Sequence, residues 1–182
     1  MIFEETSLPG AYVVTPNAIE DERGFFARQF CQREFAERGL MTRVAQVNTS
    51  YNASRGTMRG LHYQLPPKAE SKLVRCVSGA VHDVIVDMRH GVESFGRSFG
   101  LELSAANRKM MFVPAGFAHG FITLSDSTEL LYLMDEFYTP ELERGVRWND
   151  ERFSITWPIA PQFLSSRDAN HRDFDPAWHL GG

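Results

Sequence analysis

Two histidines and a lysine are the residues whose chemistry is easiest to foresee. His62 and His119 carry imidazoles, which change charge near neutral pH and therefore suit proton transfer. Lys72 shares a strand face with Val74 and Cys76, an unusual place for an ammonium group unless it meets a ligand or an acid. These three side chains are therefore candidates for a functional site.

Each candidate also has a purely structural interpretation. A lone histidine between Leu61 and Tyr63 is more often a hydrogen-bonded core residue than a catalyst. Lys72 could form a structural ion pair with Asp83 or Asp87, because both aspartates lie in an otherwise apolar strand. Residue type alone leaves both interpretations open.

A row of polar side chains supports a binding surface. Gln46, Asn48 and Ser50 alternate along one predicted strand and so share one of its faces, which is either a polar binding row or a solvated outer face. Arg59 and His62 would lie on opposite faces of a regular strand. A bulge at the intervening Gly60 would bring the two side chains to one face.

Two tyrosines and an acid follow further along the chain. Tyr132 shares a strand face with apolar residues, so it could simply fill the interior. Tyr138 lies at a junction between a strand and a turn, where an exposed ring could stack on a flat ligand. Glu143 comes just after it, in what would ordinarily be a solvated turn.

The elements that must position these residues are mostly strands. The chain of 182 residues is the size of one domain, and residues 1–182 are expected to form a single compact core. The helical pattern is confined to Cys31–Arg38, which stops at Gly39. Residues 161–182 lack strand alternation and should pack as irregular coil or short helix. The predicted strands are 44–50, 72–78, 81–88, 99–104, 110–113, 120–124 and 128–134. Turn residues at short intervals favour an antiparallel sandwich or barrel.

Charge and composition limit the partners. Lys and Arg number 19 against 23 Asp and Glu, a formal net charge of -4, so neither nucleic acid nor an anionic membrane is an expected partner. No membrane span or signal peptide is visible, which makes the cytoplasm the expected compartment. Cys31 and Cys76 are expected to be reduced and buried.

The segment Pro114–Gly120 carries the spacing Pro-x-Gly-x-x-His, which resembles the second motif of cupin barrels. Metal-binding cupins supply His-x-His from their first motif, whereas the matching place here is His62-Tyr63-Gln64. One imidazole from each motif falls short of the usual ligand set. We therefore predict a metal-free cavity.

Together, these motifs resemble those of the dTDP-4-dehydrorhamnose 3,5-epimerase family over nearly the whole chain. The segments that carry the resemblance are DERGFF at 21–26, QVN at 46–48, RGLHYQ at 59–64, DVIVDMR at 83–89, PAGFAHGF at 114–121 and SSRD at 165–168. The resemblance implies an all-β, cupin-type jelly-roll barrel. It also implies an epimerase that uses no metal or organic cofactor and acts on a nucleoside-diphosphate 4-keto-6-deoxy sugar for deoxysugar and polysaccharide synthesis.

The resemblance also implies catalytic roles. His62 would be the base, and Asp168 the carboxylate that orients its ring. Lys72 would face the keto oxygen, and Tyr132 would return the proton on the opposite face of the sugar.

Binding residues are implied in the same way. Arg59 and the partner subunit's N-terminal segment around Arg23 would hold the diphosphate in a homodimer, because guanidinium groups bind phosphate through paired hydrogen bonds. The other implied binding residues are Gln46, Asn48, His119, Tyr138 and Glu143.

Three departures from the family pattern keep alternatives open. Arg28 stands where many members carry an acid near the nucleoside, so it is a further candidate binding residue that bears on the choice of nucleotide. In addition, His82 stands at a usually apolar place, and the chain ends soon after Asp168. The alternatives are an epimerase for another nucleotide sugar, one that inverts only carbon 3 or carbon 5, a non-catalytic sugar-nucleotide binding barrel, and a metal-dependent cupin such as a dioxygenase.

Overall fold

The fold consists of two facing antiparallel sheets and a separate hairpin. The computed structural model describes residues 1–181. A six-stranded sheet has the order β1-β2-β10-β7-β12-β5, and a five-stranded sheet has the order β13-β6-β11-β8-β9. The strands are β1 Ile2–Glu5, β2 Tyr12–Thr15, β3 Ala18–Asp21, β4 Gly24–Ala27, β5 Gln46–Asn52, β6 Met58–Gln64, β7 Lys72–Ser78, β8 Ala80–Asp87, β9 Ser98–Ser104, β10 Met110–Val113, β11 Phe117–Thr123, β12 Thr128–Met134 and β13 Glu143–Gly145.

The main core lies between the two sheets, where alternate residues of each strand point inward. Val74 and Cys76 of β7 pack in one buried cluster with Ile85 of β8, Phe121 of β11 and Leu130 of β12. Burying an aliphatic or aromatic side chain of this size contributes roughly 1.5–3 kcal/mol. This core fixes the spacing of the sheets, and hence the cavity between them.

Helices are short and lie outside the sandwich. They are α1 Gln32–Ala36, α2 Ser166–Ala169 and α3 Pro176–His179. The first is shorter than the predicted Cys31–Arg38 and is followed by Gly39 at φ +67, which ends it as expected. Its Phe35 is fully buried against the outer face of the six-stranded sheet.

All seven predicted strands are present, with ends displaced by up to three residues. The pattern missed β1 to β4, β6 and β13. Short strands with exposed apolar residues show little alternation, and β6 is interrupted by Gly60. The C-terminal segment is irregular with two short helices, as predicted; Gly182 lies outside the described residues.

Cys31 and Cys76 are both free, but Cys31 is only half-buried, so the prediction of a buried pair was wrong for Cys31. Within residues 1–181, no helix is long and apolar enough to cross a bilayer.

Candidate active site

A cavity of about 640 Å³ lies between the sheets and is lined from both of them and from the segment that contains α2. All but three of the predicted site residues line this cavity. Those that do are Asn48, Arg59, His62, Lys72, His119, Tyr132, Tyr138, Glu143 and Asp168.

The β6 strand brings Arg59 and His62 to the same cavity through an irregularity at Gly60. Phe121 of β11 pairs with Arg59 and His119 pairs with His62, so between these pairs two residues of β6 face one residue of β11. Gly60 has φ +102, and a Cβ there would lie 2.6 Å from the carbonyl oxygen of His119. Only glycine fits this close approach. The bulge that Gly60 allows is therefore present.

His62 is held by a carboxylate from the far end of the sequence. Its Nε2 lies 2.7 Å from Oδ1 of Asp168, while 32% of its side chain remains exposed. Burial alone would raise the pKa of the Asp168 carboxyl, but the neighbouring imidazoles of His171 and His62 outweigh it and hold that pKa well below its usual value. An ionised Asp168 accepts a hydrogen bond from the Nε2–H group of a neutral His62. The lone pair on Nδ1 of His62 is then available to a ligand.

A second imidazole–carboxylate pair lies deeper in the sandwich. Nε2 of His119 on β11 is 2.7 Å from Oδ1 of Asp83 on the neighbouring β8, and the two side chains are only 5% and 0% exposed. Within the part of the chain that the structure describes, the other oxygen, Oδ2, has no hydrogen-bond partner. The ring of Tyr132 meets the His119 ring edge-on, with 6.1 Å between centroids.

Lys72 is buried with an acid that the sequence did not single out. Its Nζ lies 2.9 Å from Oε1 of Glu70 and donates a hydrogen bond of 3.1 Å to the carbonyl oxygen of His62. The structural pairing of Lys72 with Asp83 or Asp87 was therefore wrong. Asp87 instead accepts hydrogen bonds from Arg89 and Ser94. Lys72 also lines the cavity, where Glu70 and the backbone carbonyl of His62 hold its ammonium group in place.

Tyr132 provides a protonated phenol in the cavity. Burial raises the pKa of its hydroxyl well above the ordinary value, and the negative charge of Asp83 acts in the same direction. The phenol therefore stays neutral at physiological pH and can donate a proton.

The rim of the cavity carries an aromatic ring beside an ion pair. The hydroxyl of Tyr138 donates a hydrogen bond of 2.5 Å to Oε2 of Glu143, and Arg167 pairs with the same oxygen at 2.5 Å. Gln46, which does not line the cavity, accepts a 2.7 Å hydrogen bond from the backbone N–H of Tyr138. Of the polar row of β5, Asn48 and Ser50 line the cavity and Gln46 supports its rim.

Two predicted binding residues lie away from the cavity of their own chain. Arg23 is 84% exposed and pairs with Asp21 in the β3–β4 hairpin. Arg28 is 62% exposed and pairs with Glu34 of α1. Neither side chain contributes to the site that a single chain forms.

Three residues at the site were not foreseen from the sequence: Glu70 and Arg167, which line the cavity, and His171, whose Nε2 lies 3.5 Å from Oδ1 of Asp168. Arg167 and His171 flank Asp168 in the C-terminal segment, and the Asp-x-x-His spacing around the end of a short helix was the available signal for His171. Glu70 lies in a loop before β7 and carried no pattern.

Two antiparallel sheets around a polar cavity define the cupin-like jelly-roll class, and comparison with solved structures agrees. A crystal structure of dTDP-4-dehydrorhamnose 3,5-epimerase from Elizabethkingia anophelis NUHP1 superposes with a TM-score of 0.92 at 42% identity, covering 96% of each chain. The expected cupin-type fold is confirmed.

The family model described as dTDP-4-dehydrorhamnose 3,5-epimerase matches residues 5–175, and this chain belongs to that family. The Shigella flexneri protein of that name is 43% identical over 171 residues, covering 93% of this chain and 94% of the relative. A dTDP-6-deoxy-D-glucose-3,5-epimerase from Legionella pneumophila Philadelphia 1, solved in complex with dTDP-4-keto-L-rhamnose, has a TM-score of 0.89 at 35% identity and covers 94% of this chain and 92% of that one.

Proposed function

We propose that this protein is a cofactor-independent dTDP-4-dehydrorhamnose 3,5-epimerase. It converts dTDP-4-dehydro-6-deoxy-D-glucose to dTDP-4-dehydro-L-rhamnose by moving protons beside the 4-keto group. The observation that carries the proposal is His62, oriented by Asp168 at 2.7 Å, in one cavity with Lys72 and Tyr132. The family named by the comparisons catalyses this class of reaction.

His62 starts the reaction by removing a proton from a carbon next to the ketone. The Nδ1 lone pair takes the proton, and the C–H electron pair moves to form an enolate on the keto oxygen. Asp168 stabilises the imidazolium that results, because it remains a carboxylate throughout. His62 and Asp168 therefore act as one unit.

Lys72 stabilises the enolate. Its ammonium group is fixed by Glu70 and by the carbonyl oxygen of His62, so it needs no reorganisation as charge develops. A fixed cation in a partly dehydrated cavity is worth more to a developing oxyanion than the same cation in water.

Tyr132 completes the inversion by donating its phenolic proton to the opposite face of the carbon. It reaches the cavity from β12 of the six-stranded sheet, whereas His62 reaches it from β6 of the five-stranded sheet. A donor and a base on facing sheets can address opposite faces of a flat enolate between them. The raised pKa keeps the phenol protonated until that moment.

The remaining cavity residues bind the nucleotide sugar. Arg59 and His119 contribute donors for the diphosphate and the sugar, and the row formed by Gln46 and Asn48 lies beside them on β5. Tyr138, which is half-exposed at the rim next to Glu143, is placed to stack on the base.

Arg23 and Arg28 serve the site of a second copy in this proposal. The hairpin that carries Arg23 leaves Ile19 71% and Phe26 72% exposed, an arrangement suited to an intersubunit contact. A homodimer in which this N-terminal segment reaches the partner's cavity would add cations for the diphosphate. We further propose the cytoplasm as the compartment, because both cysteines are free.

The proposed function is tested by incubating the protein with dTDP-4-dehydro-6-deoxyglucose in deuterated water and following the sugar by NMR. We expect deuterium at carbon 3 and carbon 5 with inversion at both. Label at one carbon only would show a mono-epimerase, and no label with an intact fold would favour another nucleotide sugar or a binding role.

The matched variant is Tyr132→Phe, which removes one hydroxyl. His62 can still remove a proton and return it to the same face, so this variant should exchange deuterium while inversion slows far more than exchange. Equal loss of exchange and inversion would contradict the division of labour between His62 and Tyr132.

A further inference from the structure

His171 is a buried imidazole that the proposed reaction does not use. It follows α2 in the C-terminal segment, and its ring lies directly against Gly145, where a Cβ would be 2.0 Å from its Cε1. Its side chain is only 9% exposed. Among residues 1–181, its Nε2 makes no hydrogen bond, and the charged oxygen that it approaches, Oδ1 of Asp168, lies 3.5 Å away. A buried nitrogen with so weak a contact is available to a ligand.

The free nitrogen faces the two residues of the proposed base. Nε2 of His171 lies 3.5 Å from Oδ1 of Asp168, and the same oxygen lies 2.7 Å from Nε2 of His62. The three donor atoms are all within 4.8 Å of one another. The two imidazole rings meet edge-on at a centroid distance of 5.6 Å.

We propose that His62, Asp168 and His171 form an inhibitory site for a divalent transition metal of the zinc class. Two imidazoles and one carboxylate are a ligand set that zinc favours, with a fourth position left for water or another ligand. Ligand atoms around tetrahedral zinc are about 3.3 Å apart, so small side-chain rotations would suffice. The second imidazole comes from the C-terminal segment, whereas metal-binding cupins carry it in their His-x-His motif.

The position of the metal explains why it would inhibit. A metal on Nε2 of His62 displaces the proton that this nitrogen shares with Asp168, and a neutral imidazole then carries its proton on Nδ1. The Nδ1 lone pair that removes the substrate proton no longer exists. The inhibition rests on the proposed function, whereas metal binding itself does not.

Cobalt provides a direct test because it occupies zinc sites and absorbs visible light. We expect metal-stripped protein to bind one equivalent of Co²⁺ with the strong visible bands of four-coordinate cobalt, and Zn²⁺ to displace it. In the epimerase assay, Zn²⁺ should inhibit, and a chelator should restore activity. If these bands are absent, or only as weak as those of octahedral cobalt, the proposed metal site is wrong.

His171→Gln tests the ligand set, with His90→Gln as the matched control at an exposed histidine outside the cavity. Loss of an outer-shell partner of a metal ligand already costs roughly 10–100-fold in affinity, so loss of a ligand should weaken Co²⁺ binding at least as much. His90→Gln should bind as the parent protein does. Should His171→Gln unfold, His171→Asn provides the same readout.

The outcomes separate the two proposals. Cobalt binding that requires His171, in a protein without epimerase activity, would support the metal site and contradict the proposed function. Epimerase activity with Zn²⁺ inhibition unchanged in His171→Gln would place the inhibitory metal elsewhere and overturn the site.

Discussion

The two imidazole–carboxylate pairs have the same 2.7 Å separation but very different surroundings. His62 is about one-third exposed and is paired with a residue 106 positions away, in the irregular C-terminal segment. His119 and Asp83 are almost completely buried on adjacent strands. The first pair joins two parts of the chain at a cavity wall, and the second joins two strands inside a sheet.

The difference in exposure suits the His62–Asp168 pair to a chemical reaction and the His119–Asp83 pair to a structural role. A base must meet its substrate and change its protonation within each turnover, which requires access. A buried pair resists such a change, because every change of charge there is opposed by poor solvation. His119 and Asp83 are therefore better suited to fix Tyr132 and the cavity wall than to cycle protons.

The largest expected effect is that of His62→Ala. Removal of a general base costs typically 10²–10⁴-fold, so we expect kcat to fall by roughly that factor, with deuterium incorporation into the sugar lost in parallel. The fold should be retained, since His62 is partly exposed. His90→Ala is the control and should behave as the parent; full deuterium exchange by His62→Ala would remove His62 from its role.

Asp168→Ala tests the same pair from the carboxylate side. Without Asp168 the imidazole loses its orientation and the stabilisation of its charged form, and we expect kcat to fall by about 10²-fold or more with a small change in KM. Measured beside it, Asp83→Ala should lower kcat less. The reverse order would show that the buried pair is the reactive one.

For the free energy of unfolding, in contrast to kcat, we expect Asp83→Ala to have a larger effect than Asp168→Ala. Asp83→Ala leaves the buried Nε2 of His119 without an acceptor, which costs about 1–3 kcal/mol. Water can replace Asp168 beside the more exposed His62, so Asp168→Ala should cost less. Urea unfolding of the two variants measures the difference, and equal losses would mean that exposure does not distinguish the pairs.

The smallest expected effect is on the titration of Tyr132. Burial raises the pKa of this phenol, and the negative charge of Asp83 adds to the rise, so Asp83→Asn should lower the pKa while leaving it above the ordinary value of about 10. Ultraviolet titration of Asp83→Asn, with and without Tyr132→Phe, isolates this one phenol. A Tyr132 pKa that rises in Asp83→Asn would contradict the sign of the charge effect.

Sequence reasoning was strongest where chemistry is local. Alternation located most of the long strands, and Gly60 between Arg59 and His62 allowed the bulge that brings both to one cavity. The partners of Lys72 and His62 were beyond local pattern. Glu70 lies in a loop with no periodicity, and the approach of Asp168 to His62 joins distant segments, so only resemblance to a family indicated it. His171 was not singled out, because a histidine in a segment without periodicity cannot be assigned to one face of a helix or strand.

The order of synthesis gives the C-terminal segment a further meaning. Both sheets are encoded before residue 146, whereas Asp168 is translated later and reaches His62 only after 163–179 has settled against β6 and β13. A nascent chain on the ribosome therefore carries the strands, the lysine and the phenol of the site before the carboxylate that orients His62. The same late segment also completes the cavity wall, so the oriented base and the closed side of the cavity are gained together at the end of synthesis.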